Sequence, residues 1–131
     1  MNLTDAQIKA LTERLHRLPV VCAAFLHGSA AKNRLRADSD VDVALLLNVR
    51  EQMPADVRLD LSGEIEALLG RTADIGILST NNLIYAKEVI EHGRILFTKK
   101  QFFSDQFLST CLALYAELQE ERKEVLYAYS A

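Results

Sequence analysis

The sequence contains no tryptophan and has few of the residues that build special frameworks: 2 cysteines, 2 prolines and 5 glycines among 131 residues. Cys22 and Cys111 are too few and too far apart for a disulfide framework or a multi-cysteine metal site, and each lies in an apolar run. We therefore predict two reduced, buried thiols. The scarcity of glycine and proline excludes collagen-like and low-complexity chains. A content of 50% hydrophobic and 25% charged residues is that of an ordinary globular domain.

The sequence also lacks an excess of positive charge and a long hydrophobic run. Its 15 Lys+Arg and 18 Asp+Glu give a net charge of −3, whereas general binders of nucleic acid or anionic membranes rely on positive potential. The longest apolar run, residues 20–26, is far shorter than the roughly 20 residues that span a bilayer, and residues 1–17 contain no hydrophobic signal segment. We expect a cytoplasmic protein without direct nucleic-acid or membrane binding.

The length predicts one domain over residues 1–131, since about 150 residues per domain is the usual allowance. Thr4 followed by Gln7 is the pattern of a helix capping box, and Gly70 is a natural helix terminator. Hydrophobic spacing and turn residues predict the other boundaries. The predicted helices cover residues 4–17, 30–35, 54–69, 83–91 and about 101–129, and the predicted strands cover residues 20–26, 41–47, 73–78 and 95–97.

This alternation of short strands and helices predicts an α/β (α+β) fold, in which a small mixed β-sheet is flanked by helices and followed by a long C-terminal helix. The segment between the first two strands is short for a crossover, which favours an antiparallel pair, and the strand order is left open. The helix after Pro54 is expected to face the core with a stripe of apolar residues. These are Val57, Leu61, Ile65, Leu68 and Leu69.

Two acidic residues open the second predicted strand. Side chains two apart in a strand share a face, so Asp40 and Asp42 present their carboxylates side by side. Like charges on a rigid, mostly apolar element are unfavourable unless a cation lies between them. Mg²⁺ is such a cation, since it binds through one or two carboxylates plus substrate phosphates. Asp74 gives the third strand a carboxylate of its own, and the three acids converge if that strand neighbours the second.

A Gly-Ser turn after the first strand has features of a phosphate site. Gly28 permits close approach of the backbone to a ligand, and Ser29 adds a hydroxyl donor. Three cations that can neutralise further negative charge follow the turn. They are Lys32, Arg34 and Arg36.

Taken together, these residues match a known pattern. Gly28-Ser29, ten intervening residues and Asp40-Val41-Asp42 form the G-S-x(10)-D-x-D signature, and the sequence thereby resembles the DNA polymerase β-like nucleotidyltransferases. The resemblance covers about residues 20–98. It also includes Ser39, Asp74 and the HGRILF segment.

Within that superfamily, the length resembles the minimal nucleotidyltransferases, the MNT proteins of HEPN–MNT toxin–antitoxin pairs. The resemblance implies an Mg²⁺-dependent protein adenylyltransferase, with two ions, that transfers AMP from ATP to a tyrosine hydroxyl of a HEPN ribonuclease toxin and so neutralises it. It implies a hetero-oligomer with that toxin. The implied nucleotide-binding residues are Gly28 and Ser29, and the implied catalytic and metal-binding residues are Asp40, Asp42 and Asp74.

The sequence departs from the usual family pattern in two places. His27 stands where phenylalanine is more common, and Ala31-Lys32-Asn33 replaces the frequent Ala-Arg-Gly. Neither change removes an implied metal ligand. Both leave the choice of nucleotide base and the loop geometry open.

Other interpretations of the same residues stay open. An isolated Asp-x-Asp pair is most often a solvated pair at the start of a strand, although a Gly-Ser turn at the matching distance favours a site. The protein could also be a non-catalytic antitoxin that acts by binding its toxin, or a small-molecule nucleotidyltransferase, although such enzymes generally carry an added acceptor domain. A core of about residues 20–98 leaves only two helical flanks, so we expect a macromolecular acceptor.

The C-terminal helix carries an apolar row at three-four spacing, interrupted only by Arg122. Such a row can pack on the protein's own sheet. Its tyrosines also suit a docking face for a partner, because aromatic residues are enriched at interface cores. The row consists of Leu108, Cys111, Tyr115, Leu118, Val125 and Tyr129, and it is widened by Leu112, Leu126 and Tyr127.

Overall fold

The computed structural model describes residues 2–130, which form four helices and four strands. Their boundaries lie within a single residue of the predicted ones. The helices are α1 (Asp5–His16), α2 (Ala55–Leu69), α3 (Leu83–His92) and α4 (Gln101–Ser130), and the strands are β1 (Val21–His27), β2 (Val41–Leu47), β3 (Ala73–Ile77) and β4 (Arg94–Thr98).

The four strands form one mixed sheet in the order β3-β2-β1-β4. β1 pairs antiparallel with β2 and with β4, while β2 pairs parallel with β3. The reason is the length of the connections, since residues 28–40 are too few for a crossover and α2 supplies one between β2 and β3. The predicted mixed sheet flanked by helices, with its antiparallel first pair, is confirmed.

The sheet is covered by helices on both faces. Alternate residues of β2, such as Val43 and Leu45, pack against α1 and α2, whereas Ala44 and Leu46 face α3 and α4. This alternation follows from the two-residue period of a strand. The site described below lies on the α3/α4 face.

Local signals for the helix ends are confirmed. The Thr4 hydroxyl accepts the Gln7 N–H at 3.1 Å, and the Gln7 side-chain oxygen accepts the Thr4 N–H at 2.9 Å. Gly70 ends α2 in the left-handed conformation with φ 66°. The cysteines are confirmed as free and buried, with Cys22 and Cys111 in the core on the α3/α4 face.

The structure contradicts the short helix predicted over residues 30–35, which instead form turns. The Arg34 N–H donates to the Ser29 carbonyl at 2.8 Å, and the Asn33 N–H donates to the Ala30 carbonyl at 3.4 Å. Asn33 has a φ of 52°, in the left-handed region where a right-handed helix cannot continue. The buried side chains of Ala30 and Leu35 anchor this loop in the core.

The apolar stripe of α2 is narrower than predicted. Leu61, Ile65 and Leu69 are buried, whereas Val57 and Leu68 are 45% and 43% exposed. Val57 lies in the first turn of the helix, and Leu68 lies beside the row formed by the three buried residues rather than in it.

The long C-terminal helix divides into two parts. Ser104 and Cys111 are buried, and Phe103 and Phe107 pack against the core on the α3/α4 face. Every residue of the last part, here called distal α4 (residues 120–130), is exposed. Of the predicted row, Cys111 therefore packs on the protein's own domain, and Leu108, Tyr115 and Leu118 are partly buried. None of the helices in residues 2–130 is long and apolar enough to cross a membrane.

Candidate active site

Three polar side chains stand side by side across the sheet on the α3/α4 face. The strand register pairs His27 of β1 with Asp42 of β2, and Asp42 with Asp74 of β3. Residues paired in this way share a face, because paired positions point to the same side of the pleat. The parallel pairing of β2 with β3 therefore brings together two acids that are far apart in the sequence.

Asp40 completes the acidic group from the residue before the start of β2. Burial raises the pKa of the Asp42 carboxyl above its ordinary value. His27 lowers that pKa, while the charges of Asp74 and Asp40 raise it. The three acids thus interact electrostatically, and the convergence expected from the sequence is present in the fold.

The Gly-Ser turn lies directly against the acids. Gly28 has a φ of 66°, and a Cβ built at this position would be 2.7 Å from Oδ2 of Asp42. Glycine is therefore required here both for the left-handed backbone and for the contact with the carboxylate. Ser29 follows in the same turn, partly buried. The structure places Gly28, Ser29, Asp40, Asp42 and Asp74 at one end of the sheet.

The three basic residues predicted to neutralise phosphate charge do not pack into the site. Lys32, Arg34 and Arg36 are all exposed, on the loop between β1 and β2. The Arg36 carbonyl accepts a hydrogen bond from the Arg71 side chain at 2.5 Å, which ties this loop to the end of α2. The loop can present cations beside the site without packing them into it.

Tyr85 of α3 is a site residue that the sequence reasoning missed. Its phenol lies 3.4 Å from Nε2 of His27, and the two rings meet edge to face with centroids 5.4 Å apart. A side chain at Gly76 would overlap the hydroxyl of Tyr85. Burial, with the charges of Asp74 and Asp42, raises the pKa of Tyr85 to about 12, so the phenol is neutral.

One signal in the sequence could have revealed this contact. Gly76 lies inside a strand, two residues after Asp74 and therefore on the same face. A glycine in that position, away from any turn, indicates close approach of another group. The identity of that group could not be read from the sequence, since Tyr85 lies on a separate helix.

The acidic group fits a hard divalent cation that shares its ligands with a substrate. Within residues 2–130, no set of three or more His, Cys, Asp and Glu side chains is assembled as a metal cage. Mg²⁺ does not need such a cage, because it is commonly held by one or two carboxylates, phosphate oxygens and water. The mutual repulsion of Asp40, Asp42 and Asp74 is the kind of charge imbalance that a cation relieves.

A mixed sheet with a Gly-Ser turn facing paired acids is the architecture of a nucleotidyltransferase domain. The family model described as Polymerase beta, Nucleotidyltransferase matches residues 9–102. The chain therefore belongs to the polymerase β nucleotidyltransferase family, and the resemblance found in the sequence is confirmed at this level. Comparison with curated protein sequences gives no significant match.

Solved structures of similar fold include chains from toxin–antitoxin complexes. A toxin–antitoxin structure with AMP-PNP aligns with a TM-score of 0.77 at 22% identity over 98% of this chain and 100% of that chain. The MntA-HepT complex gives 0.75 at 19% identity, with the same coverage of 98% and 100%. A structure of tri-AMPylated Shewanella oneidensis HEPN toxin with MNT antitoxin gives 0.70 at 19% identity over 95% and 99%. At these identities the likeness is one of fold, and it extends over the long C-terminal helix.

Proposed function

We propose that this chain is an antitoxin nucleotidyltransferase that transfers AMP from ATP to a tyrosine hydroxyl of a HEPN ribonuclease toxin. The observation that carries the proposal is the row of Asp42 and Asp74 beside the Gly28-Ser29 turn. Family membership supports nucleotidyl transfer as the reaction class. The AMP-PNP and AMPylated toxin in the structures of similar fold support the nucleotide and the acceptor.

The reaction forms one bond and breaks one. The acceptor oxygen attacks the α-phosphorus of ATP, the bond between the α-phosphorus and the bridging oxygen breaks, and pyrophosphate leaves. Mg²⁺, held by Asp40, Asp42 and Asp74 as two ions, would supply positive charge to the phosphates and lower the pKa of the attacking hydroxyl. The Gly28 backbone and the Ser29 hydroxyl hold the phosphates, and Asp74 orients the acceptor and receives its proton. Positioning and charge supply most of the rate enhancement.

The outer position of Asp74 suits its role toward the acceptor. β3 is an edge strand and Asp74 is exposed, whereas Asp42 is partly buried between β1 and β3. A protein acceptor can therefore approach Asp74 from solvent without displacing Asp42 or the Gly-Ser turn. His27 lies beside Asp42 on β1, and its ring contacts Tyr85 of α3.

The test is labelling of the HEPN protein encoded beside this chain with α-labelled ATP and Mg²⁺. We predict that Asp42→Ala reduces the label at least about a thousandfold, as expected when groups that stabilise transition-state charge are removed. Asp56→Ala, which removes an exposed acid from the first turn of α2, should label the toxin like the wild type. Intact mass spectrometry of the toxin should show additions of AMP. Undiminished labelling by Asp42→Ala would overturn the site assignment.

A second candidate function, inhibition by binding alone, is favoured by the exposed apolar residues of distal α4. An Asp40→Ala, Asp42→Ala double variant separates the two functions at equal expression. If the double variant still associates with the toxin but no longer suppresses its toxicity, catalysis is supported. Full suppression by the double variant supports binding.

A further inference from the structure

We propose that the outer edge of β3 is the docking site for an extended segment of the acceptor protein, which adds to the sheet as a fifth strand and places its hydroxyl residue beside Asp74. The inference rests on the proposed function and extends it to the surface that receives the acceptor. β3 is the edge strand next to the candidate active site, and β4 is the other edge, separated from β2 by β1.

The hydrogen-bond pattern shows which backbone groups of β3 face outward. The Val41 N–H donates to the Thr72 carbonyl at 2.9 Å, and the Leu78 N–H donates to the Leu45 carbonyl at 2.9 Å. In a parallel ladder the residues that bond one neighbour alternate with those that face away. Asp74 and Gly76 therefore face β2, while the N–H and C=O groups of Ala73, Ile75 and Ile77 point to the free edge.

Side chains of α2 cover the first of these outward-facing positions. The Ala73 N–H donates to the Glu66 side chain at 3.1 Å, and the Ala73 carbonyl accepts from the Ser62 hydroxyl at 2.5 Å, both from α2. Within residues 2–130, the outward groups of Ile75 and Ile77 have no such side-chain partner. Uncovered edges of this kind accept extended peptides by main-chain hydrogen bonding.

An open groove beside the same edge links it to the active site. The groove has a volume of about 510 Å³ and lies between α2 and β3. Its wall from α2 includes Leu59, which is 73% exposed, and Arg58, and its other wall includes Asp74 and Ile75. Asp74 lines the groove and also stands beside Asp42 in the candidate active site. The edge of β3 is therefore continuous with that site.

The geometry of a β-sheet predicts where the hydroxyl residue of an added strand would lie. Neighbouring strands lie about 4.8 Å apart, and paired residues point to the same face. The row across the sheet is His27, Asp42 and Asp74. A residue of an added strand paired with Asp74 would continue this row by one position, on the face that carries the acids and beside the carboxylate assigned to the acceptor.

The first test reads backbone protection rather than catalysis. The chain is mixed with the HEPN protein encoded beside it and AMP-PNP, and amide hydrogen exchange is followed at single residues. We expect at least about tenfold slower exchange at the outward amides Ile75 and Ile77, because they enter new hydrogen bonds. The amides of β4 should be unchanged. Unchanged exchange at Ile75 and Ile77 overturns the proposal, whether or not the toxin is labelled in the separate assay with ATP.

The second test uses two exposed leucines of α2 as a matched pair. Leu59 lines the groove, whereas Leu68, 43% exposed, lies further along the helix and outside it. Leu59→Ser should raise the toxin concentration needed for half-maximal association about tenfold, as the loss of one buried leucine contact predicts. Leu68→Ser should leave association unchanged. Equal effects of the two substitutions overturn the docking site. If the wild-type chain associates through this edge but transfers no AMP, the proposed function is contradicted and the docking site is not.

Discussion

At the scale of single residues, Gly76 and Tyr85 form a contact that leaves no room for a side chain. A Cβ at Gly76 would overlap the phenol of Tyr85, so Gly76→Ala should lower the free energy of unfolding by about 2 kcal/mol through overpacking. The double variant Gly76→Ala, Tyr85→Ala should lose less free energy of unfolding than the sum of the losses in the two single variants. The measurement is a double-mutant cycle by urea denaturation.

The matched control for that cycle is Gly63→Ala in α2. A Cβ at Gly63 meets nothing within 4 Å, so alanine there should stabilise the helix by about 0.5–1 kcal/mol. Strictly additive effects of Gly76→Ala and Tyr85→Ala would show that the two residues do not compete for the same space.

Asp42 is a residue at which function opposes stability. Its pKa is raised mainly by burial, and the charges of Asp74 and Asp40 add to this, so ionisation is less favourable in the folded chain than in the unfolded one. Asp42→Asn removes that unfavourable charge. In EDTA at neutral pH we expect a gain of about 0.5–1 kcal/mol in the free energy of unfolding, measured by urea denaturation. Asp56→Asn should give no gain, and a comparable loss of stability in Asp42→Asn would contradict the electrostatic account.

At the scale of elements, α4 has two parts that differ in burial. Its first part packs on the sheet, while distal α4 exposes Val125, Leu126, Tyr127 and Tyr129 by 55%, 67%, 77% and 88%. The apolar row that is buried at Cys111 continues into this exposed part. A helix end of this composition is suited to an interface, where aromatic residues supply much of the binding energy.

We predict that Leu126→Ser with Tyr129→Ser weakens association with the proposed HEPN partner at least about tenfold, as expected when interface anchors are removed. The free energy of unfolding should change by less than about 0.5 kcal/mol, because both side chains are exposed. Isothermal titration calorimetry measures the first effect and thermal denaturation the second. Ile84→Ser with Phe102→Ser, at residues 54% and 81% exposed on α3 and early α4, is the control pair. Equal binding by the distal pair and the wild type would exclude distal α4 from the interface.

At the scale of the whole molecule, ligand binding at Asp40, Asp42 and Asp74 should stabilise the entire fold. Mg²⁺ and ATP together should raise the melting temperature, because a ligand present at 100 times its Kd contributes about 2.7 kcal/mol. The acids come from β2, β3 and the loop before β2, so unfolding of the sheet destroys the site. EDTA or Asp42→Ala should abolish most of the shift, and Asp56→Ala should retain it. An undiminished shift in Asp42→Ala would indicate that ATP binds elsewhere.

Local patterns predicted most of the fold from the sequence. The capping box of Thr4 and Gln7, the stop at Gly70 and the apolar strand over residues 41–47 all form as expected, because each depends on neighbours along the chain. The helix predicted over residues 30–35 was wrong, since the left-handed conformation of Asn33 and the anchoring of Leu35 are set by the surrounding loop and core. The roles of Gly28, Ser29, Asp40, Asp42 and Asp74 stay predictions for the labelling experiment.

The sequence by itself determined the bounds of the four helices and four strands, the candidate acids and the nucleotidyltransferase resemblance, since residue type and spacing carry that information. Only the tertiary structure decided that β3 lies beside β2, which sets Asp74 next to Asp42, that Tyr85 fills the space over Gly76, and that β3 is an edge strand of the sheet. The physical reason is that periodicity encodes which face of an element is buried but not which partner buries it. That choice depends on packing between residues distant in the chain.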